Sequence, residues 1–273
     1  MERALQPPHS DRESDPAAED NSYDAARQEE VDNPPPVRFS HLRAYGRSAM
    51  HGHHARTAPE QEPTAAMQLG TAVHALIFGT KPVISYPGAV RRGKEWDAFK
   101  AEHEHMHILT RSDYLTAHAM AGAVYGCKLA EPLLKGVTEE TLRFRWNGLD
   151  CRATPDVRGA GFLTELKTSN STEPVKFTYQ ALRMAYHAQM RMQQIACEDE
   201  RQPCYIVAVE SSEPYPVTVF EIDPMTLEIG GKLLMLWSER LKQSEESQAY
   251  PPYTSAIFPL CAPEDLELTY GTD

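Results

Sequence analysis

At 273 residues and 41% hydrophobic content the chain can form one sizeable core or two small ones, but its composition is near the low edge of globular proteins, so order along its whole length is not expected. No run approaches the ~18 apolar residues of a membrane span, the N-terminus is acidic where a secretory leader would be basic and then apolar, and the five scattered cysteines (Cys127, Cys151, Cys197, Cys204, Cys261) form no CxxC. A soluble, cytoplasmic protein is therefore expected, without a membrane, a disulfide framework or a zinc knuckle, and its net charge of −12 argues against a phosphate-rich partner unless that charge is unevenly spread.

It is unevenly spread. Residues 1–36 hold ten acids and three bases, residues 221–273 again ten and three, and residues 37–220 hold nineteen acids and twenty-one bases. The middle is therefore slightly positive, and its bases include Arg91, Arg92 and Lys94 in one run and Arg143, Arg145 and Arg152 in another.

Residues 1–36, rich in Pro, Asp, Glu and Ser with no hydrophobic period, read as a disordered acidic arm. A globular domain is expected over 37–257 and an acidic tail over 258–273. Ser40 is placed to cap a short helix through Tyr45, after which Gly52 and the stretch from Pro59 to Pro63 read as loop. Thr64 caps a stronger helix in which Met67, Gly70, Thr71, His74, Ala75 and Phe78 recur at spacings of three and four. Helical patterns follow over about 94–106 and 112–134.

The period then changes. Leu142, Phe144 and Trp146 alternate with Arg143 and Arg145, as in a half-buried strand. An Asn147–Gly148 turn leads to a strand at about 150–157, and the turn Arg158-Gly159-Ala160-Gly161 to a third at 162–168, which predicts an antiparallel meander. Pro174 opens a long helix reaching about Cys197, strands follow over 205–210 and 217–222, and 224–243 closes the domain as a helix. This order predicts an α/β fold with a helical N-terminal portion.

The chemistry concentrates in Thr154-Pro155-Asp156-Val157 and, across the turn, Leu163-Thr164-Glu165-Leu166-Lys167-Thr168. Residues two apart on a strand face the same way, so Glu165 and Lys167 project together while Leu166 turns to the core. Asp156 ends the preceding strand. Two carboxylates, an ammonium and the Leu166 carbonyl then gather in one place. Hard oxygen ligands of this kind hold Mg²⁺ while leaving it water, as phosphodiester hydrolysis requires. The competing reading of a surface hairpin with an ordinary Glu–Lys pair is natural for ExK alone; Pro-Asp at this distance before it, across a hairpin, is less common.

These residues resemble the PD-(D/E)XK nuclease superfamily. The match extends from about Phe39 to Tyr253 toward its phage-recombination branch, the exonuclease VIII (RecE) and lambda-exonuclease-like proteins. Met67-Gln68-Leu69-Gly70-Thr71-Ala72-Val73-His74-Ala75-Leu76 is similar to that branch's helical motif with a metal-ligating histidine, and Tyr186-His187-Ala188-Gln189 to its glutamine motif. The resemblance implies a restriction-endonuclease-like core, with a mixed central sheet flanked by helices. It implies catalytic roles for Asp156, Glu165, Lys167 and Gln189. The metal ligands it implies are His74, Asp156, Glu165 and the Leu166 carbonyl, with Glu140 a further candidate for which Glu139 competes. DNA contacts are expected at Ser40, Ser48, Arg91, Arg92, Lys94 and Tyr186. The chain departs from the branch in two respects: relatives often carry Tyr four residues after the glutamine, where Gln193 stands, and the acidic N-terminal arm is no part of the nuclease motif.

The resemblance further implies a phage or prophage enzyme working in a bacterial host cell. It would be a Mg²⁺-dependent exonuclease, with Mn²⁺ substituting, that digests one strand of linear duplex DNA from the 5′ end. A single-strand annealing protein would take the 3′ overhang, and a homo-oligomeric ring, trimer or tetramer, would thread the DNA. The rivals are a RecB- or Cas4-like single-strand nuclease, an endonuclease, and a nuclease fold kept only as a DNA-binding module. The histidine groups at 51, 53, 54 and at 103, 105, 107 lack a zinc spacing and read as solvated.

Overall fold

In the computed structural model residues 35–59 and 62–257 are described, so the expected acidic tail and all but Pro35 and Pro36 of the expected arm lie outside the described residues. The N-terminal portion is helical, as expected, but carries two helices where one short helix and a loop are predicted. Helix α1 spans Phe39–Arg47 and α2 spans Ala49–Thr57. Ser48 separates them and caps the second, its side chain accepting from the His51 N–H. Gly52, read as a breaker, instead lies inside α2 against the Tyr45 ring: a Cβ there would come within 2.2 Å of it. Close packing explains this glycine better than turn chemistry does.

Helix α3 (Ala65–Phe78) is capped by Thr64 and stops at Gly79, whose φ of 66° is the left-handed conformation a helix end favours. Beyond it, β1 (Val83–Ser85) and β2 (His107–Leu109) form a parallel pair around helix α4 (Lys94–Glu102). Three-residue strands are too short to show an alternation, which is why the sequence does not announce them. The helix expected over 112–134 is α5 (Arg111–Gly126) followed, after a turn, by a separate 3₁₀ turn at Glu131–Leu134 that contains Pro132.

The expected three-strand meander divides between two sheets. β4 (Leu142–Trp146) and β5 (Leu149–Ala153) form their own hairpin around Asn147 and Gly148, both at positive φ, as a two-residue hairpin turn demands. The strand expected to run on to 157 stops at Ala153. Pro155 has no N–H to offer a ladder, and the chain resumes as β6 (Val157–Arg158) in another sheet. That central sheet also contains β3 (Val137–Thr138), β7 (Leu163–Ser169), β8 (Cys204–Glu210) and β9 (Val217–Ile222), in the order β3-β6-β7-β8-β9. Only β7 and β8 pair in parallel, so the sheet is mixed.

Alternation along β7 and β8 supplies a core on each face. On one, Leu166, Val207 and Val209 pack with Ala72 and Val73 of α3 and with Ala117, Met120 and Val124 of α5. On the other, Ile206 and Ala208 meet Phe177, while Leu163 and Cys204 meet Met190 and Leu227. These last partners come from α6 (Pro174–Arg183), α7 (Tyr186–Ala196) and α8 (Pro224–Ser247). The long helix expected over 174–197 is thus two helices, broken at Ala185, which sits at φ 57°. No described helix is long and apolar enough to cross a membrane.

Helices α7 and α8 cross closely at Gly230, where a Cβ would lie 2.6 Å from the His187 carbonyl oxygen and 2.9 Å from the Ala188 Cα. Backbone atoms cannot swing aside as a side chain can. Gly230→Ala is expected to destabilise the fold by roughly 2 kcal/mol, the cost of overpacking a close contact, and urea unfolding at fixed pH measures it.

Candidate active site

The site lies where α3 crosses β7. Gly70 allows that approach, since a Cβ there would already stand 3.0 Å from the Thr168 hydroxyl. His74, one helical turn later on the same face, then reaches the strand. Its Nε2 lies 3.0 Å from the Leu166 carbonyl oxygen. A carbonyl can only accept, so Nε2 carries the proton and Nδ1 faces the acids, 3.6 Å from Asp156 and 3.9 Å from Glu139.

Asp156 occupies the bend between β5 and β6, and its Oδ2 accepts from the Leu166 N–H at 2.7 Å, a bond that ties the bend to β7. Ligand atoms of His74, Glu139 and Asp156 all lie within 4.8 Å of one another, in an open cleft bordered by Gly70, Thr71 and His107. Of the two adjacent acids, therefore, Glu139 and not Glu140 stands at the cluster. The reason is conformational: the chain leaves β3 and Glu139 takes φ 54°, which turns its side chain inward, while the carboxylate of Glu140 pairs with Arg158. If this cluster holds a divalent cation, Glu139→Gln is expected to weaken its binding about tenfold or more and Glu140→Gln to leave it unchanged; titration calorimetry on the two variants checks the difference.

Glu165 and Lys167 are neighbours on β7, as their spacing predicts, with Nζ 2.5 Å from Glu165 Oε2. Glu165, expected as a metal ligand, lies beside this group rather than within its 4.8 Å span, close enough for its charge to act on both Asp156 and His74. Its Oε2 also accepts from Gln189 at 2.8 Å, and its Oε1 accepts from Gln193. Gln193, read from the sequence only as a departure from the branch, has a role there that sequence reasoning did not assign. It lies four residues after Gln189 on α7, so both amides reach the same carboxylate, and that spacing was the available signal. Tyr186, first in the same helix, places its ring 5.0 Å below the Lys167 ammonium. The break at Ala185 sets that position, since Tyr186 starts a new helix rather than continuing α6.

Electrostatics make the cluster demanding. Burial, with the charge of Glu165 beside it, pushes the Asp156 carboxyl up to about 7. Burial pulls His74 down, but Glu139, Asp156 and Glu165 outweigh it and the imidazole ends above its usual range. Burial also opposes the charge on Lys167, yet Glu165 and Asp156 raise the ammonium above the usual lysine range, so it keeps its proton at neutral pH. The donors present, an imidazole nitrogen, two carboxylates and the adjoining Leu166 carbonyl, suit a hard divalent cation, and a buried acid held near neutrality is one that such a cation would relieve.

The expected DNA contacts are dispersed. Ser40 borders a recess with Arg38, Arg152, Gln189 and Gln193, directly beside the amides that hold Glu165. Ser48 is 4% exposed and its hydroxyl caps α2 and meets His51, so its expected contact with a DNA end gives way to a structural role. Arg91 lies over Trp96, and Arg92 and Lys94 are exposed near the start of α4.

Two acids brought from separate segments to the edge of one strand, with a lysine two residues beyond the glutamate, put the fold among the PD-(D/E)XK nuclease domains. The chain belongs to the family described as "PDDEXK-like domain of unknown function (DUF3799)", whose model matches residues 39–257. No curated protein resembles the sequence closely enough to count as a relative. Among solved structures it is similar to one from Eubacterium rectale named "Putative exonuclease", at 12% identity and a TM-score of 0.58 over 89% of this chain and 96% of that one. It is also similar to an alkaline exonuclease (LHK-Exo) from Laribacter hongkongensis, at 15% identity and a TM-score of 0.32 over 65% of this chain and 89% of that one.

Proposed function

We propose that the chain is a divalent-metal-dependent exodeoxyribonuclease that digests one strand of linear duplex DNA from its 5′ end. The observation that carries the hydrolytic reading is the gathering of His74, Glu139 and Asp156 ligand atoms within 4.8 Å, next to the Glu165–Lys167 pair. The exonuclease name of the Eubacterium rectale structure that shares the fold agrees with it. His74, Glu139 and Asp156 would hold the ion, with the Leu166 carbonyl beside them; when bound, Mg²⁺ or Mn²⁺ supplies an activated water and charge neutralisation at the phosphate.

The chain's own groups do the rest. Lys167, held charged, donates toward phosphate oxygens as negative charge builds on them. Gln189 and Gln193 fix the Glu165 carboxylate so that it orients the lysine. The basic outer face of the β4–β5 hairpin, with Arg143 and Arg145 exposed and Arg152 at the recess beside Ser40, supports DNA as the substrate. The 5′ polarity, the 3′ overhang handed to an annealing protein and the ring of three or four copies follow the resemblance of the motifs.

Linear duplex labelled at either end, alongside a closed circle, tests the proposal with Mg²⁺ and with EDTA. Early release of 5′ label, its arrest by EDTA and survival of the circle are expected. First release from the 3′ end would reverse the polarity, cutting of the circle would make the chain an endonuclease, and DNA that is shifted in mobility but stays intact would leave only a binding module.

A further inference from the structure

The segment around Arg91 and Trp96 has no part in the chemistry above, yet it builds a second recess beside the same cleft. Between β1 and β2 the aromatic rings pack into a nest. Trp96 meets the buried Tyr86 edge-on at 5.1 Å, Phe99 meets it at 5.1 Å, and His103 stacks on Phe99 at 4.2 Å. The Arg91 guanidinium lies 5.9 Å from the centre of the Trp96 ring and is held there by the Gln68 side chain and the Ile108 carbonyl. Trp96 and Arg91 thus line a recess of about 360 Å³, with Met106 and Ile108 as apolar wall and Lys100 exposed on α4. Thr71 and His107 line both this recess and the cleft of His74, Glu139 and Asp156, so the two are adjacent, with these residues between them.

The character of the lining selects a ligand. Glu62 and Glu104 also border the recess, which makes it a poor seat for a row of phosphates. An aromatic wall, apolar sides and a few fixed polar groups at this volume suit a flat heterocycle carrying hydrogen-bond donors and acceptors. We infer that the recess receives the unstacked base of a nucleotide flanking the phosphodiester at the metal cleft. Trp96 is its stacking face, Arg91 its fixed cation, and Lys100 the contact to that nucleotide's backbone. The strand reaches it by passing over Thr71 and His107. This rests on the nuclease reading, but it adds a subsite that strengthens binding without touching the reacting atoms.

The test places 2-aminopurine in turn along a single-stranded oligonucleotide and follows its emission on the full chain in EDTA, then measures Mg²⁺-dependent cleavage by variants. Wild type is expected to change the emission at one position only, and Trp96→Leu to lose that change. Trp96→Leu and Lys100→Ala are each expected to raise KM about tenfold, within the range of one base stack, with kcat within about twofold. Lys232→Ala, which removes an exposed charge on α8, leaves both constants alone. If Trp96→Leu does not fold, the wild-type emission profile and Lys100→Ala decide. Emission that ignores position, or KM unchanged in both variants while wild type cleaves, overturns the subsite and leaves the nuclease reading standing. A wild type that never cleaves with Mg²⁺ overturns the nuclease reading instead, and the emission profile then decides the recess alone.

Discussion

Lys167→Met is expected to reduce kcat for DNA cleavage by about 10³, roughly 4 kcal/mol of barrier, while Mg²⁺ still binds. The size follows from the site of the ammonium: it is only 17% exposed and held by Glu165 at 2.5 Å, so solvent neither screens nor replaces it. The same substitution strips the 2%-exposed Glu165 carboxylate of its cation, leaving the two glutamine amides as partners. Breaking one half of a buried pair destabilises by about 3–5 kcal/mol. Activity and folding must therefore be separated. The double variant Glu165→Gln with Lys167→Met removes both charges, and it is expected to recover most of the lost stability and none of the activity. Stopped-flow cleavage and thermal unfolding, read on the single and double variants, distinguish the two effects. Cleavage at the wild-type rate by a folded Lys167→Met chain would remove the lysine from the reaction.

Without divalent cations, Asp156 is expected to make thermal stability fall as pH rises from about 4 to 7. His41, whose imidazole burial lowers to about 4, acts in the opposite direction between about 4 and 6.5, as do His107 and His187, both lowered by burial. The difference between wild type and Asp156→Asn therefore isolates the acid. Burial raises its carboxyl from 3.8 to about 7, so across that interval the folded chain binds a proton that the unfolded chain has already released. The stability due to Asp156 then declines with pH, and the contribution present below pH 4 is gone above pH 7. Three units of such a difference amount to on the order of 4 kcal/mol, or about 10 °C in Tm for a domain of this size. His74, also raised, acts in the same direction above its ordinary range. Adding Mg²⁺ at pH 8 is expected to restore the loss, because the ion replaces the proton as partner of the carboxylates. Asp156→Asn should therefore be more stable relative to wild type at pH 8 than at pH 4, and should lose the response to Mg²⁺. A wild-type-minus-Asn difference in metal-free Tm that stays constant between pH 4 and pH 8 would contradict the burial of this acid.

Local patterns in the chain were enough to define a large part of the domain. Thr64 and the three-and-four spacing of α3, the Asn147–Gly148 turn, and the alternation of Glu165, Leu166 and Lys167 are all set by neighbours within a few residues, and the structure keeps them. Backbone geometry at that range depends little on the rest of the fold. Other features depend on contacts across the chain. Gly52 became a packing contact against Tyr45 rather than a turn, and a strand expected to run on to 157 was divided at Pro155 between two sheets. Ala185 broke one helix into two, bringing Tyr186 beneath Lys167 and both glutamines onto Glu165. The choice of Glu139 over Glu140 rested on a left-handed residue at the end of a two-residue strand. The sequence by itself determined which groups are available and the short elements that carry them. Only the tertiary structure decided which of them meet, because sheet register and helix crossings bring together residues some 80 positions apart, such as His74 and Asp156, whose spacing along the chain carries no record of the contact.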